Sequence, residues 1–288
     1  LTANYWTDVS WQTLEQKPLE IYVFVDPICP ECWALEPVMK KLMMEYGPYI
    51  RIKHVLSGKL ENLNFLTKKR QLALAQNWDK IASRSGMSCD GSLWLNNPID
   101  SPFLASIAIK AAELQGKRAG SRFLRKIQEV LFIEKQDVSD FKVLKNCAQY
   151  TGLDVDEFVQ DIHSASATKA FQCDVKIASE MDVEETPTLV FFNENIEDEG
   201  IKISGVYPYD VYEQIVEEML MNKPEKQELP TIDEFIERFQ LVATLEVAVV
   251  YNLSISEAEK ELKKRMFQQK IECINAKHGT FWRSLPSS

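Results

Sequence analysis

Leu19-Glu-Ile-Tyr-Val-Phe-Val-Asp-Pro-Ile-Cys-Pro-Glu-Cys-Trp-Ala-Leu-Glu-Pro37 is the stretch whose reading decides the fold. Residues 19–25 form an apolar run rich in Ile, Val, Tyr and Phe, as expected of a strand buried on both faces of a parallel or mixed sheet. Asp26 and Pro27 end it, and from Pro30 the apolar residues Leu35, Val38, Met39 and Leu42 recur at helical spacing. Cys29 and Cys32 therefore straddle the first turn of a helix. Unpaired backbone N–H groups and the positive end of the helix dipole stabilise a thiolate there, and the i, i+3 spacing lets a second thiol resolve a mixed disulfide.

A Cys-x-x-Cys that follows a strand and opens a helix is the signature of a thioredoxin-like redox site. Zinc is the competing reading, but it needs four ligands. The remaining cysteines, Cys89, Cys147, Cys173 and Cys273, and the three histidines offer no second close pair. Glu31 opposes thiolate formation between the two thiols, and no cation nearby in sequence compensates it, so weak redox activity is expected. Of the dispersed cysteines, Cys147, Cys173 and Cys273 fall in helical or strand patterns and read as small buried hydrophobes. Cys89 lies in a loop pattern and reads as the exposed one.

The chain of 288 residues, 45% hydrophobic and 26% charged, has the composition of a water-soluble globular protein of one large or two smaller domains. No apolar run approaches the roughly 20 residues that span a bilayer, and the first residues lack a signal-peptide pattern, so a cytoplasmic address without membrane association is expected. The net charge of −10 is segregated: residues 180–234 hold 16 acidic residues against three lysines, a balance of −13. Conversely, residues 51–84 hold eight basic residues against Glu61 and Asp79. That basic segment reads either as a solvated face or as docking for an acidic partner. No Gly-rich phosphate loop is present among only ten glycines, and His54, His163 and His278 stand in no catalytic constellation. No cofactor and no metal site is expected.

After residues 49–56, which alternate as a second strand, residues 65–181 are a succession of helical patterns. Local signals include Ser101 before Pro102 as a helix cap and Ser139 before the segment 141–150. Strand character returns at 187–192 and 200–204, followed by a helix over 209–221. A βαβ start and a ββα finish around the helices predict an α/β thioredoxin fold with a large helical insertion, over residues 1–222. Residues 223–230 are polar and proline-containing and read as a linker. Residues 231–288 then read helix, short helix, helix and two strands, with Ser256 and Glu259 as a capping box, which is the pattern of a winged-helix domain. From Glu225 onward nine basic residues face ten acidic ones, so nucleic acid is disfavoured against a protein-interaction role.

Five words of the sequence, Asp26-Pro-Ile-Cys-Pro-Glu-Cys-Trp33, Ile81 to Gly91, Lys110 to Gly116, Phe171 to Asp182 and Ala276-Lys-His-Gly279, resemble the SpxH adaptor family, also called YjbH, of Gram-positive bacteria. The similarity runs from about Pro18 to the C-terminus, whereas the Cys pair alone points only to the wider DsbA-like superfamily. The resemblance implies a DsbA-like thioredoxin fold and an adaptor that binds the stress regulator Spx and presents it to the ClpXP protease, with no chemical step of its own. Resemblance to thioredoxin-like folds also places Thr186 and Pro187, the latter as a cis proline, opposite Cys29 and Cys32. Members can carry a His- and Cys-containing N-terminal segment suited to zinc, and residues 1–17 contain neither residue type. The alternative is a cytosolic DsbA-like thiol-disulfide oxidoreductase with Cys29 as nucleophile and Cys32 as resolving thiol.

Overall fold

The computed structural model describes residues 17–58, 67–99, 102–195, 199–221 and 223–286. The opening stretch forms β1 (Leu19–Val25) and α1 (Pro30–Tyr46), followed by β2 (Ile50–Leu56). β1 pairs in parallel with β2, Leu19 opposite Ile50, and antiparallel with β3 (Thr188–Asn193), Leu19 opposite Asn193. β4 (Ile201–Ser204) closes a sheet of order β2-β1-β3-β4, and α9 (Tyr209–Met219) follows.

Side chains of β1 alternate between two cores, as the period of a strand requires. Leu19, Ile21, Val23 and Val25 enter the main core beneath α1, while Phe24 joins Val55, Ala178, Val183 and Val190 on the opposite face. Burial on both faces is why the run shows little polar alternation.

Between the halves of this sheet run α2 (Lys68–Ser85), α3 (Leu93–Asn96), α4 (Pro102–Leu114), α5 (Lys117–Phe132), α6 (Phe141–Tyr150), α7 (Val155–Asp161) and α8 (Ala165–Glu180). The cap of α6 is Asp140, whose carboxylate accepts the Lys142 N–H at 2.8 Å, rather than Ser139. Ser139 is instead held by Asp137 in the preceding turn. Ser101 lies outside the described residues.

The C-terminal portion contains α10 (Ile232–Phe239), β5 (Leu241–Ala243), α11 (Thr244–Val250), α12 (Ile255–Phe267), β6 (Ile271–Asn275) and β7 (Thr280–Ser284), with an antiparallel sheet of order β5-β7-β6. The capping box that opens α12 is Ser254 with Glu257, two residues before the pair expected from sequence. Both pairs satisfy the S-x-x-E spacing, but Asn252 adopts a left-handed φ of 53° that ends the preceding turn early enough for Ser254 to cap. Glu259 is left on the helix surface, paired with Lys263 at 2.6 Å.

The described C-terminal residues are tied to the rest of the chain at several points. Their core includes Met44 of α1, packed with Phe235, Val242 and Val247. Within residues 223–230, Lys226 ion-pairs with Glu45 at 3.0 Å and with Glu213, and the Gln227 N–H donates to the Glu45 carbonyl at 2.8 Å. Glu246, fully buried at the start of α11, meets Lys40 of α1 at 2.7 Å and Arg125 of α5 at 2.9 Å. Arg125 also reaches Glu36 and Glu129, so one charge network ties α1, α5 and α11 together.

Candidate functional site

Cys29 is the N-cap of α1, with φ −80° and ψ 117°, and its sulfur accepts the Cys32 backbone N–H at 3.4 Å. Pro30 fits the first helical position because its missing N–H would have no partner there. Thr186–Pro187 is a cis peptide, and the Cys29 thiol lies 3.5 Å from the Thr186 carbonyl oxygen. The sheet thus brings together residues 157 apart in sequence. Both cysteines are unbridged thiols, Cys29 half-buried and Cys32 buried.

Their environments push the two thiols in opposite directions. Hydrogen bonding from the Cys32 thiol, against the burial that opposes it, holds Cys29 below the ordinary thiol range. Burial pushes Cys32 well above it, and donation to Cys29 adds to that shift. Asp26, only 3% exposed at the end of β1, disfavours ionisation of both thiols through its charge. In the sequence Asp26 ends the strand, and an acid directly before a thiol pair at a buried strand end is the signal that it also acts on the thiols. Of the two, Cys29 is the thiol that ionises more readily, and Cys32 the one that keeps its proton. In iodoacetamide labelling read by peptide mass spectrometry, Cys29 is expected to react below the pH at which Cys32 does. Equal labelling of the two across the pH range contradicts this assignment.

Three sequence expectations about this region are corrected. Glu31 does have a local cation, since Arg84 in the last turn of α2 holds both its oxygens at 2.6 and 2.8 Å. The partner is 53 residues away, invisible to a local reading, and it removes much of the argument against a thiolate. Cys89 is fully buried and donates to the Trp78 carbonyl at 3.1 Å, its thiol pushed up by burial to about 12. Cys173 and Cys273 are exposed. In each element the buried face falls on neighbouring residues, Phe171 for α8 and Ile271 for β6.

Trp33 extends the site into the rest of the chain. Its ring stacks on Phe132 of α5 and Phe281 of β7, at 5.5 and 6.1 Å between centroids, and Arg125 lies over it at 4.3 Å. Its indole N–H donates to the Ser88 carbonyl at 3.0 Å. The turn between β6 and β7 docks nearby: Lys277 pairs with Asp79 at 2.7 Å and Asp90 at 3.4 Å, and the His278 N–H donates to Ser88. Gly279, at φ 89°, packs so closely that a Cβ there would lie 3.0 Å from the Gly86 carbonyl. The first turn of α1 is thus fixed by the helical block and the C-terminal hairpin together.

A thioredoxin family model matches residues 22–214. The protein named ClpXP adapter protein SpxH in Bacillus subtilis is 54% identical over 272 residues, covering 94% of this chain and 90% of its own. Its namesake in Halalkalibacterium halodurans is 52% identical over 276 residues, with the same coverages of 94% and 90%. Among solved structures, the cytosolic disulfide reductase DsbM of Pseudomonas aeruginosa with GSH superposes with a TM-score of 0.52 at 15% identity, covering 64% of this chain and 89% of that one. That likeness is one of fold.

Proposed function

The chain belongs to the SpxH family, and we propose that it acts in the cytoplasm as an adaptor, binding the transcription regulator Spx and promoting its degradation by the ClpXP protease. The observation that carries this reading is the near full-length identity to proteins named as ClpXP adapters. Geometry supports a binding role. Buried ion pairs and aromatic packing join the C-terminal portion and the helical block to the thioredoxin portion, which offers a partner one continuous packed surface. No helix among the described residues is long and apolar enough to cross a membrane.

The same locking weighs against DNA as the partner of a winged-helix reading of residues 231–288. Its hairpin turn, which would have to be free to follow a phosphate backbone, is engaged by Asp79, Asp90 and Ser88. Three of the four cations on α12, Lys263, Lys264 and Arg265, are neutralised by Glu259, Glu261 and Asp233.

Reconstituted proteolysis tests the adaptor reading. Added to ClpXP and Spx, the protein is expected to accelerate loss of Spx, and the Cys29→Ala, Cys32→Ala double variant to do so equally well. If neither protein changes the rate, the reading fails. The second reading, thiol-disulfide oxidoreductase, is favoured by one observation, the lowered Cys29 thiol facing the Thr186 carbonyl. Turnover of a disulfide substrate that the double variant abolishes would favour it.

A further inference from the structure

Arginines of this acidic chain are in general well matched. Arg84 meets Glu31, Arg125 meets Glu36, Glu129 and Glu246, Arg265 meets Asp233 and Glu261, and Arg283 meets Glu272. Where α1 ends, the pattern breaks. Arg118 in the first turn of α5 and Arg238 in the last turn of α10 are both exposed. Neither has a carboxylate partner among the described residues; Arg238 meets the Met44 sulfur at 3.9 Å and lies over the Phe239 ring at 5.8 Å.

Around Arg118 further cations gather. Arg122 lies one turn along α5, and Lys17 is fastened at the end of α1 by the Gly47 and Ile50 carbonyls, at 2.6 and 3.0 Å. Arg51 stands next to Ile50, loosely paired with Glu20 at 3.4 Å. The charges are close enough to act on one another. Burial lowers the proton affinity of Lys17, Arg122 and Arg238, and in each case the charge of Arg118 lowers it further; Arg51 also acts on Lys17.

Local folding gives no reason for this gathering. A cation in the first turn of a helix opposes the helix dipole, and like charges held close together repel. The cations come from the segment before β1, from β2, from α5 and from α10, and so span the thioredoxin sheet, the helical block and the C-terminal portion. Guanidinium groups contributed by three modules suit carboxylates, each of which a guanidinium fork can grip with two hydrogen bonds.

We propose that this cationic junction, centred on Arg118 and Arg238, docks an acidic segment of the protein that the adaptor delivers. The assignment rests on the adaptor reading for the identity of the partner, and on the residues themselves for its chemistry. Complementary charge of this kind acts mostly on association rate and is weakened by salt.

A fluorescein-labelled hexaglutamate peptide, followed by anisotropy at low and high salt, probes the junction directly. The unmodified protein is expected to bind it with strong salt dependence, and the Arg118→Glu, Arg238→Glu double variant to bind about tenfold more weakly or worse. A Lys263→Glu, Lys264→Glu control on α12 is expected to bind as the unmodified protein does. Equal binding by the unmodified protein and the junction variant overturns the proposal. So does tighter binding of tripolyphosphate or duplex DNA than of the peptide, which would make the junction a phosphate site. In parallel, the junction variant is expected to slow ClpXP-dependent loss of Spx. If the unmodified protein does not accelerate that loss, the adaptor reading fails while the peptide result still judges the junction.

Discussion

Replacing Glu246 with Ala is expected to lower the free energy of unfolding by about 3–5 kcal/mol, because it removes one partner from a buried ion network. Glu246 is fully buried, Lys40 is 1% exposed, and Arg125 shares the same carboxylate, so two cations would be left without it in the interior. The substitution also removes the acceptor of the Ala243 N–H, at 2.8 Å, at the start of α11. Burial pushes the Glu246 carboxyl up, but Arg125 and Lys40 more than offset this and hold it below its ordinary range. Its folded pKa is therefore below its unfolded one, and its contribution is fully present above the unfolded carboxyl pKa, about 4.3, and lost as pH falls through the folded value. Urea unfolding at neutral pH and again in acid should show a deficit in Glu246→Ala that shrinks at low pH. A deficit under about 1 kcal/mol at neutral pH would place the network among ion pairs of little net worth.

Glu246 also marks what the sequence could and could not disclose. The β1–α1 unit was legible because a doubly buried strand, a terminating Asp-Pro and a helix with thiols at its first turn each leave a local pattern. The succession of helices and the return to strands were legible for the same reason. What escaped depends on residues far apart. The three-residue β5 is too short to show a period and exists through its pairing with β7. Glu246 lies 206 residues from Lys40, and Arg84 lies 53 from Glu31. Single glutamates in helical patterns read as solvated, so neither pairing could be seen, and the expected weakness of the Cys29 thiolate was inferred without the cation that answers Glu31. Exposure of Cys89 was misjudged because a Ser-, Gly- and Asp-rich segment signals irregular backbone, which here folds inward under Trp78 and Trp94.

Trp33→Ala is expected to be at least as damaging as Glu246→Ala, at about 3–5 kcal/mol for removal of a fully buried large aromatic side chain. Four contacts disappear at once: the stack on Phe132, the stack on Phe281, the Arg125 guanidinium over the ring and the indole N–H bond to the Ser88 carbonyl. Trp33→Phe keeps an aromatic face for Phe132, Phe281 and Arg125 but drops the N–H donor and leaves the Ser88 carbonyl short of a partner. It should cost about 1–3 kcal/mol for that acceptor, plus whatever volume is not refilled. The two variants separate packing from hydrogen bonding by denaturant unfolding, and near-equal losses would assign most of the effect to the hydrogen bond. A second readout bears on function. Cys32 precedes Trp33 and is 3% exposed, so a loosened ring should let iodoacetamide reach Cys32 under native conditions in Trp33→Ala but not in Trp33→Phe. If Cys32 stays protected in Trp33→Ala, the first turn of α1 is held by the thioredoxin sheet alone. If it opens, the helical block and the C-terminal hairpin keep the thiol pair closed, so packing far from the thioredoxin sheet controls access to Cys32.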